Sequence, residues 1–208
     1  MAAALPSPWL VGGAPDQGQG INPAAVGAIA TSLGYDRAAV RWVAPGAPSD
    51  AAIGVFTSAD AGGAQVSAGY APIDDVVIVR SGGGSAPGRT AFVRGSSGES
   101  SVQRIATSGT VGVASAPEAL AGVRSGAYAA AVLPLAVLAD PAAAAGLTAV
   151  ARIAPAGKYQ PEQARIVLPA ASPIAACLNG AIDRLRIEGV LDGLYRQWIG
   201  LPEAGPAK

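Results

Sequence analysis

The sequence predicts an α/β protein built in two lobes, and three observations carry that prediction. Short apolar runs alternate with helical periods along the chain, beginning with strand, helix and strand between Trp9 and Val43. A Gly/Ser run, Ser81-Gly82-Gly83-Gly84-Ser85, then separates this series from a second one. The chain closes on two amphipathic helices. Strand-helix-strand units of this length build parallel sheets, so each lobe is expected to hold a mostly parallel sheet flanked by helices.

Taken in order, Trp9 to Gly13 reads as a short buried strand ending in a turn. Asn22-Pro23 reads as the cap and first turn of a helix carrying Val26, Ile29, Ala30 and Leu33, stopped by Gly34. Val40–Val43, Ala51–Phe56 and Val76–Arg80 read as strands, and Ser81–Ser85 as a connector. Thr90–Val93 is the first strand of the second series, Gly95-Ser96-Ser97-Gly98 a tight loop, and Ser101–Ala106 a short helix. Strand Val111–Ala114 leads to Ser115-Ala116-Pro117-Glu118. Its Ser and Glu are spaced as a capping box for a helix that ends at Ser125-Gly126. Ala129–Leu133, Val150–Ile153 and Arg165–Leu168 are further strands. Ser172-Pro173 opens a helix with Ile174, Cys177, Leu178, Ala181, Ile182 and Leu185 on one face, closed by Gly189. A last helix carries Leu191, Leu194, Tyr195 and Trp198.

Composition excludes several classes. The 14 basic and 14 acidic residues are spread evenly with no basic run, so the footprint of a nucleic-acid binder is missing. The richest apolar stretch, Ala129–Ala139, contains Pro134 and falls short of the ~18–20 residues that cross a bilayer. With no histidine, Ser-His and Cys-His catalysis and nearly all familiar zinc sites are removed, and neither a metal nor a cofactor is expected. The single cysteine, Cys177, is expected as a buried structural thiol. Met1–Ser7 lacks the charged and apolar regions of a secretory signal.

The stretch Leu178–Gly200, LNGAIDRLRIEGVLDGLYRQWIG, resembles the C-terminus of type 2 periplasmic solute-binding proteins, specifically the family serving polar amino acid importers. Three earlier segments support the resemblance: GINPAAVGAIATSLGY from Gly20, RTAFVRGSSGESS from Arg89, and SAPEALAGVRSGAYAAAV from Ser115. It covers nearly the whole chain. The family's fold implies a first lobe of residues 8–80 with 170–208 and a second of residues 85–163. It places hinge crossings at 76–85 and 164–169, with solute in the cleft between the lobes. It also implies an extracytoplasmic protein, periplasmic or lipid-anchored at the cell surface, whose signal sequence is absent from this chain. The implied partners are a small solute and the membrane permease of a bacterial ABC importer, with the protein itself monomeric and no enzyme.

The loop Gly95–Gly98 lies between a strand and a helix, where unpaired N–H groups and the positive end of the helix dipole can meet an anionic group. An ordinary turn with capping serines is the alternative. In the family the matching loop holds the ligand carboxylate, so Ser96, Ser97 and Gly98 are candidate contacts. Ser97→Ala is expected to weaken binding and spare stability, and Gly98→Val to do more harm. The resemblance adds Phe56, Thr57 and Ser58 at a strand end, Asp16 and Gln17 after the first strand, and Ser115, for which a pure helix cap is the alternative.

The departures from the family concern the ligand. Its amino acid binders fork the α-carboxylate with an arginine a few residues after the Thr-Ser segment. Here Asp60 or Ala61 stands there, and no arginine occurs between Arg41 and Arg80. The aspartate that would hold the α-amino group is also missing, since Ala129 begins that strand and Pro134 follows it. The first lobe is shortened between Val43 and Asp50. The expected solute is therefore neutral and polar, or cationic, with Asp60 or Asp16 as its charged contact. A sensor or interaction module of the same fold, or a dehydratase-like enzyme, are the alternative functions.

Overall fold

A computed structural model describes residues 8–11, 15–44, 47–56, 64–82, 88–105, 109–153 and 163–199. These fall into two compact units, one drawn from Met1–Pro72 and Gln163–Gly200, the other from Ile73–Glu162. The chain passes between them after Pro72 and again before Gln163.

In the first unit, β1 (Ala52–Phe56), β2 (Gln65–Val66) and β3 (Ala71–Pro72) all pair antiparallel with β9 (Gln163–Leu168). Along β9 the alternate residues Ala164, Ile166 and Leu168 are buried, the period of a strand with one face in a core. Helix α1 (Ile21–Ser32) is buried over most of its length. Asn22 does not cap it. Gly20 stands at the cap, and the N–H groups of Ile21 and Asn22 donate to the carbonyls of Pro8 (2.9 Å) and Trp9 (3.1 Å). Trp9, which opens the expected first strand, thus gives its carbonyl to the helix N-terminus, and Gly12 and Gly13 lie outside the described residues. Residues 8–11 form a turn around the buried Trp9. Gly20 has φ 108°, and a Cβ there would lie 2.7 Å from the Trp9 carbonyl oxygen, so only glycine fits. Tyr70, its ionisation suppressed by burial, sets its hydroxyl 2.6 Å from Asn22 Oδ1 and 2.8 Å from the Gly54 carbonyl.

The expected strand Val40–Val43 is also absent. Asp36 accepts from Ala38 N (2.9 Å) and caps a 3-10 turn, Arg37–Ala39, after which the chain runs unpaired. Helices α5 (Ala175–Ile187) and α6 (Val190–Ile199) complete this unit as the sequence predicts. The buried stripe of α5 is Ala175, Leu178, Ala181, Ile182 and Leu185, a phase that leaves Ile174 and Cys177 in solvent. Cys177 is therefore no core thiol. It is expected to react with a maleimide in the native protein as fast as in the unfolded one. Modification only after denaturation, read by intact mass, would put it back in the core.

The second unit has a five-stranded sheet in the order β6 (Thr110–Val113), β5 (Thr90–Val93), β7 (Ala130–Pro134), β4 (Asp75–Arg80), β8 (Leu147–Arg152). The β5–β6 and β5–β7 pairs are parallel, with α2 (Ser97–Ile105) and α3 (Ala116–Ser125) as their crossovers. The pairs of β4 with β7 and β8 are antiparallel. The sheets are therefore less parallel than expected. In the first unit every described strand pairs with β9, which returns from the second unit. In the second, β4 and β8 both lie beside a chain passage.

Strand β4 was expected as a crossing, yet it is an inner strand of this sheet, with Val76, Ile78 and Val79 buried. The segment expected as the other crossing belongs to the first unit's sheet. Helix α3 shows its capping box: Ser115 Oγ accepts from Glu118 N (3.4 Å), while Glu118 Oε2 accepts from Ala114 N (2.9 Å), one residue earlier than the motif requires. Gly126 ends the helix at φ 80°. The short helix α4 (Pro141–Ala144) precedes β8 and is tied back by Arg124, whose Nε donates to the Ala145 carbonyl (2.9 Å).

Candidate functional site

The Gly95–Gly98 loop leaves the end of β5 and feeds directly into α2, which begins at Ser97 rather than Ser101. Gly95 turns the chain at φ 72°. Its N–H donates to Glu99 Oε2 (2.8 Å), so a first-turn carboxylate caps the loop. Ser96 Oγ donates to the Val93 carbonyl (2.7 Å). Ser97 Oγ donates to Asp75 Oδ1 (2.8 Å), and Ser101 Oγ, one turn along, to Asp75 Oδ2 (2.7 Å). Arg104 Nη2 donates to Ser101 Oγ (3.1 Å) and extends the chain of bonds to the surface.

Asp75, the first residue of β4, is 5% exposed. Burial raises its pKa above the usual carboxylate value, working with the neighbouring Asp74. The Ser101 and Ser97 hydroxyls and the Arg104 charge pull the other way and are outweighed. Gly98 is buried beneath β7, and a Cβ there would lie 2.6 Å from the Val132 carbonyl oxygen and 3.3 Å from Ser96 Oγ.

This arrangement determines what the loop can offer a ligand. The hydroxyl protons of Ser96 and Ser97 are both committed inside the protein, so their oxygens retain capacity chiefly as acceptors. Glu99 and Asp75 stand at the N-terminus of α2 and oppose the positive end of its dipole. The side chains of the loop thus offer a ligand acceptors, and its donors are the backbone N–H groups of the first turn of α2. Ser97 also differs from expectation. Because its proton goes to a buried carboxylate, Ser97→Ala acts on stability and not on the loop surface alone.

The remaining expected residues belong to other elements. Ser115 is the exposed N-cap of α3, and the cap accounts for its hydroxyl. Asp16 and Gln17 form an exposed 3-10 turn in the first unit, bordering a cavity of about 280 Å³ with Val26, Arg37 and Trp42. The Arg37 guanidinium is seated on α1 at Gly27, where a Cβ would come 2.7 Å from its Cζ. Phe56 ends β1 with its backbone paired to Arg165. Thr57, Ser58, Asp60 and Ala61 lie outside the described residues, as does most of the Ser81–Ser85 connector. Among the described residues no group of three or more His, Cys, Asp or Glu side chains could hold a metal. Nor, among the described residues, is any helix long and apolar enough to cross a membrane.

Asp75 and Ser101 are the residues that the sequence reading missed. The signal was Asp74-Asp75 directly before a buried apolar run, where a carboxylate must find donors.

Two sheets with these helices, one unit inserted into the other, form the type 2 periplasmic-binding-protein fold. The arginine-, lysine-, histidine-binding protein ArtJ from Geobacillus stearothermophilus is similar over 96% of this chain and 94% of its own, with TM-score 0.63 and 15% identity. The GluR0 ligand-binding core from Nostoc punctiforme, in complex with L-glutamate, is similar over 92% and 94%, with TM-score 0.62 and 16% identity. The second substrate-binding domain of a putative amino acid ABC transporter from Streptococcus pneumoniae is similar over 87% and 90%, with TM-score 0.64 and 16% identity. At such identities the likeness is one of fold. No family model matches the chain, and no curated protein does.

Proposed function

We propose that this chain is the solute-binding protein of a bacterial ABC importer, acting outside the cytoplasm as a monomer that binds without chemistry and hands its solute to a membrane permease. The observation that carries the reading is the fold likeness, which runs over nearly the full length of this chain and of substrate-binding proteins alike. Hinge closure about the solute is part of the proposal. The Gly95–Gly98 loop is its second-unit contact, with Asp16 and Gln17 from the first unit and Phe56, Thr57, Ser58 and Asp60 from its strand end.

The solute we propose is a neutral polar or cationic molecule, not an ordinary α-amino acid. Support comes from the loop, where two carboxylates face the helix N-terminus and both hydroxyl protons are committed. A free α-carboxylate brought there without a cationic partner would cost on the order of several kcal/mol.

A thermal-shift screen of the twenty amino acids against sugars, polyamines and quaternary amines tests this. A saturable stabilisation by a polyamine, quaternary amine or sugar is expected. Micromolar binding of glutamate or glutamine would overturn the ligand class, and no response to any class would overturn solute binding itself. For a solute that binds, small-angle scattering is expected to show a smaller radius of gyration with it than without. A sensor module of the same fold is the second reading, favoured by the similarity to the GluR0 ligand-binding core. A permease and an ATPase encoded beside this gene would support transport instead.

A further inference from the structure

Three parts of the second unit meet at Asp75. Its carboxylate holds the first and second turns of α2 through Ser97 and Ser101. Its carbonyl accepts from Ile153 N (2.9 Å), the last described residue before the chain returns to the first unit. Its neighbour Asp74 accepts from Leu135 N (2.6 Å) and pairs with Arg152 at 3.6 Å. The chain enters this unit at Ile73, two residues earlier. The segment that enters the unit and the one that leaves it are therefore bonded together at the residue whose side chain holds the candidate solute loop.

The side chain is an expensive choice for a merely structural role. Among the described residues no cation forms an ion pair with Asp75; the Arg104 charge acts on it from a distance, while the guanidinium hydrogen-bonds Ser101. Burying an ionised carboxylate on two hydroxyls costs more than filling the same space with an apolar side chain. What the carboxylate supplies, and an apolar group cannot, is a two-oxygen clamp on two successive turns of one helix.

We propose that Asp75 is a positioning residue that couples the Gly95–Gly98 loop to the two segments through which the chain enters and leaves the second unit. Movement of the first turn of α2 is carried by the carboxylate to the Asp75 backbone, and from there to Ile153 and Arg152. This rests on the reading of that loop as a solute contact.

The test is amide hydrogen exchange of the free full-length chain, followed by NMR at neutral pH. The Ile153 amide reports directly on its bond to Asp75. In the Ser97→Ala/Ser101→Ala double variant, exchange at Val102 is expected to rise about tenfold or more, with Ile153 rising by a comparable factor. Asp75→Asn, which keeps one acceptor, should give an intermediate rise at both amides. Ser115→Ala, which loosens the start of α3, should leave Ile153 unchanged. A double variant that loosens α2 while Ile153 exchanges as in the wild type would overturn the coupling and leave Asp75 a local clamp. Should the double variant not fold, Ser97→Ala alone is read by the same criterion. No solute is added, so this outcome stands apart from that of the solute screen.

Discussion

Gly98→Val is expected to destabilise the protein by about 3–6 kcal/mol, the largest effect of any single change in the candidate loop. A Cβ at Gly98 meets the Val132 carbonyl oxygen at 2.6 Å, well inside van der Waals contact. Val132 cannot yield. It is fully buried in β7, with Phe92 of β5 as its register partner on one side and Val77 of β4 on the other. The helix must yield instead, and lifting α2 draws Ser97 and Ser101 away from Asp75. Overpacking alone costs about 1–3 kcal/mol, and partial loss of the two bonds, together worth roughly one hydrogen bond to a charged group, about 1.5–3 kcal/mol more. Denaturant unfolding with circular dichroism measures the loss. A variant within about 1 kcal/mol of wild type would mean that α2 does not pack on β7 as described. Ser97→Ala removes one hydroxyl and no space, so its cost should stay at about 1–3 kcal/mol.

The parts of the fold that could be read from the sequence are those whose signals are local. The helix over Ala116–Ser125 was legible because Ser115, Glu118 and Gly126 are its start and stop chemistry, all within twelve residues. The terminal helices showed themselves through apolar spacing, although Cys177, about 100° around α5 from Leu178, falls outside the buried stripe. The described part of the first expected strand, Trp9–Val11, and Val40–Val43 form no strand for a non-local reason: an apolar run becomes a strand only beside a partner. Pro8 and Trp9 instead give their carbonyls to α1. The role of β4 was hidden for the same reason, because nothing in Val76–Arg80 says whether it joins two sheets or lies inside one. The Gly95–Gly98 loop was visible from its glycines and serines. Its anchor was not, since Asp75 is 22 residues from Ser97 and 26 from Ser101.

The stability of the protein relative to Asp75→Asn is expected to fall as pH rises through the acidic range. In the folded state Asp75 holds its proton more tightly than in the unfolded chain, because burial penalises the carboxylate more than the two hydroxyls and Arg104 favour it. Between the unfolded value, about 3.9, and the higher folded value, the folded protein therefore binds more protons than the unfolded one. A state that binds more protons loses ground as protons become scarce. The stabilisation linked to this group is fully present below the unfolded pKa and is gone once pH has passed the folded one. Asparagine does not titrate, so the variant carries none of this slope, while the other carboxylates contribute to both proteins alike and cancel in the difference. Asp74, ion-paired with Arg152, is the neighbour most able to disturb that cancellation, and Asp74→Asn in both backgrounds removes it. Denaturant titrations of the pair at half-unit steps from pH 3.5 to 7 provide the test. A gap that widens with rising pH would mean that the hydroxyls and Arg104 outweigh burial, leaving Asp75 a carboxylate that the fold prefers charged.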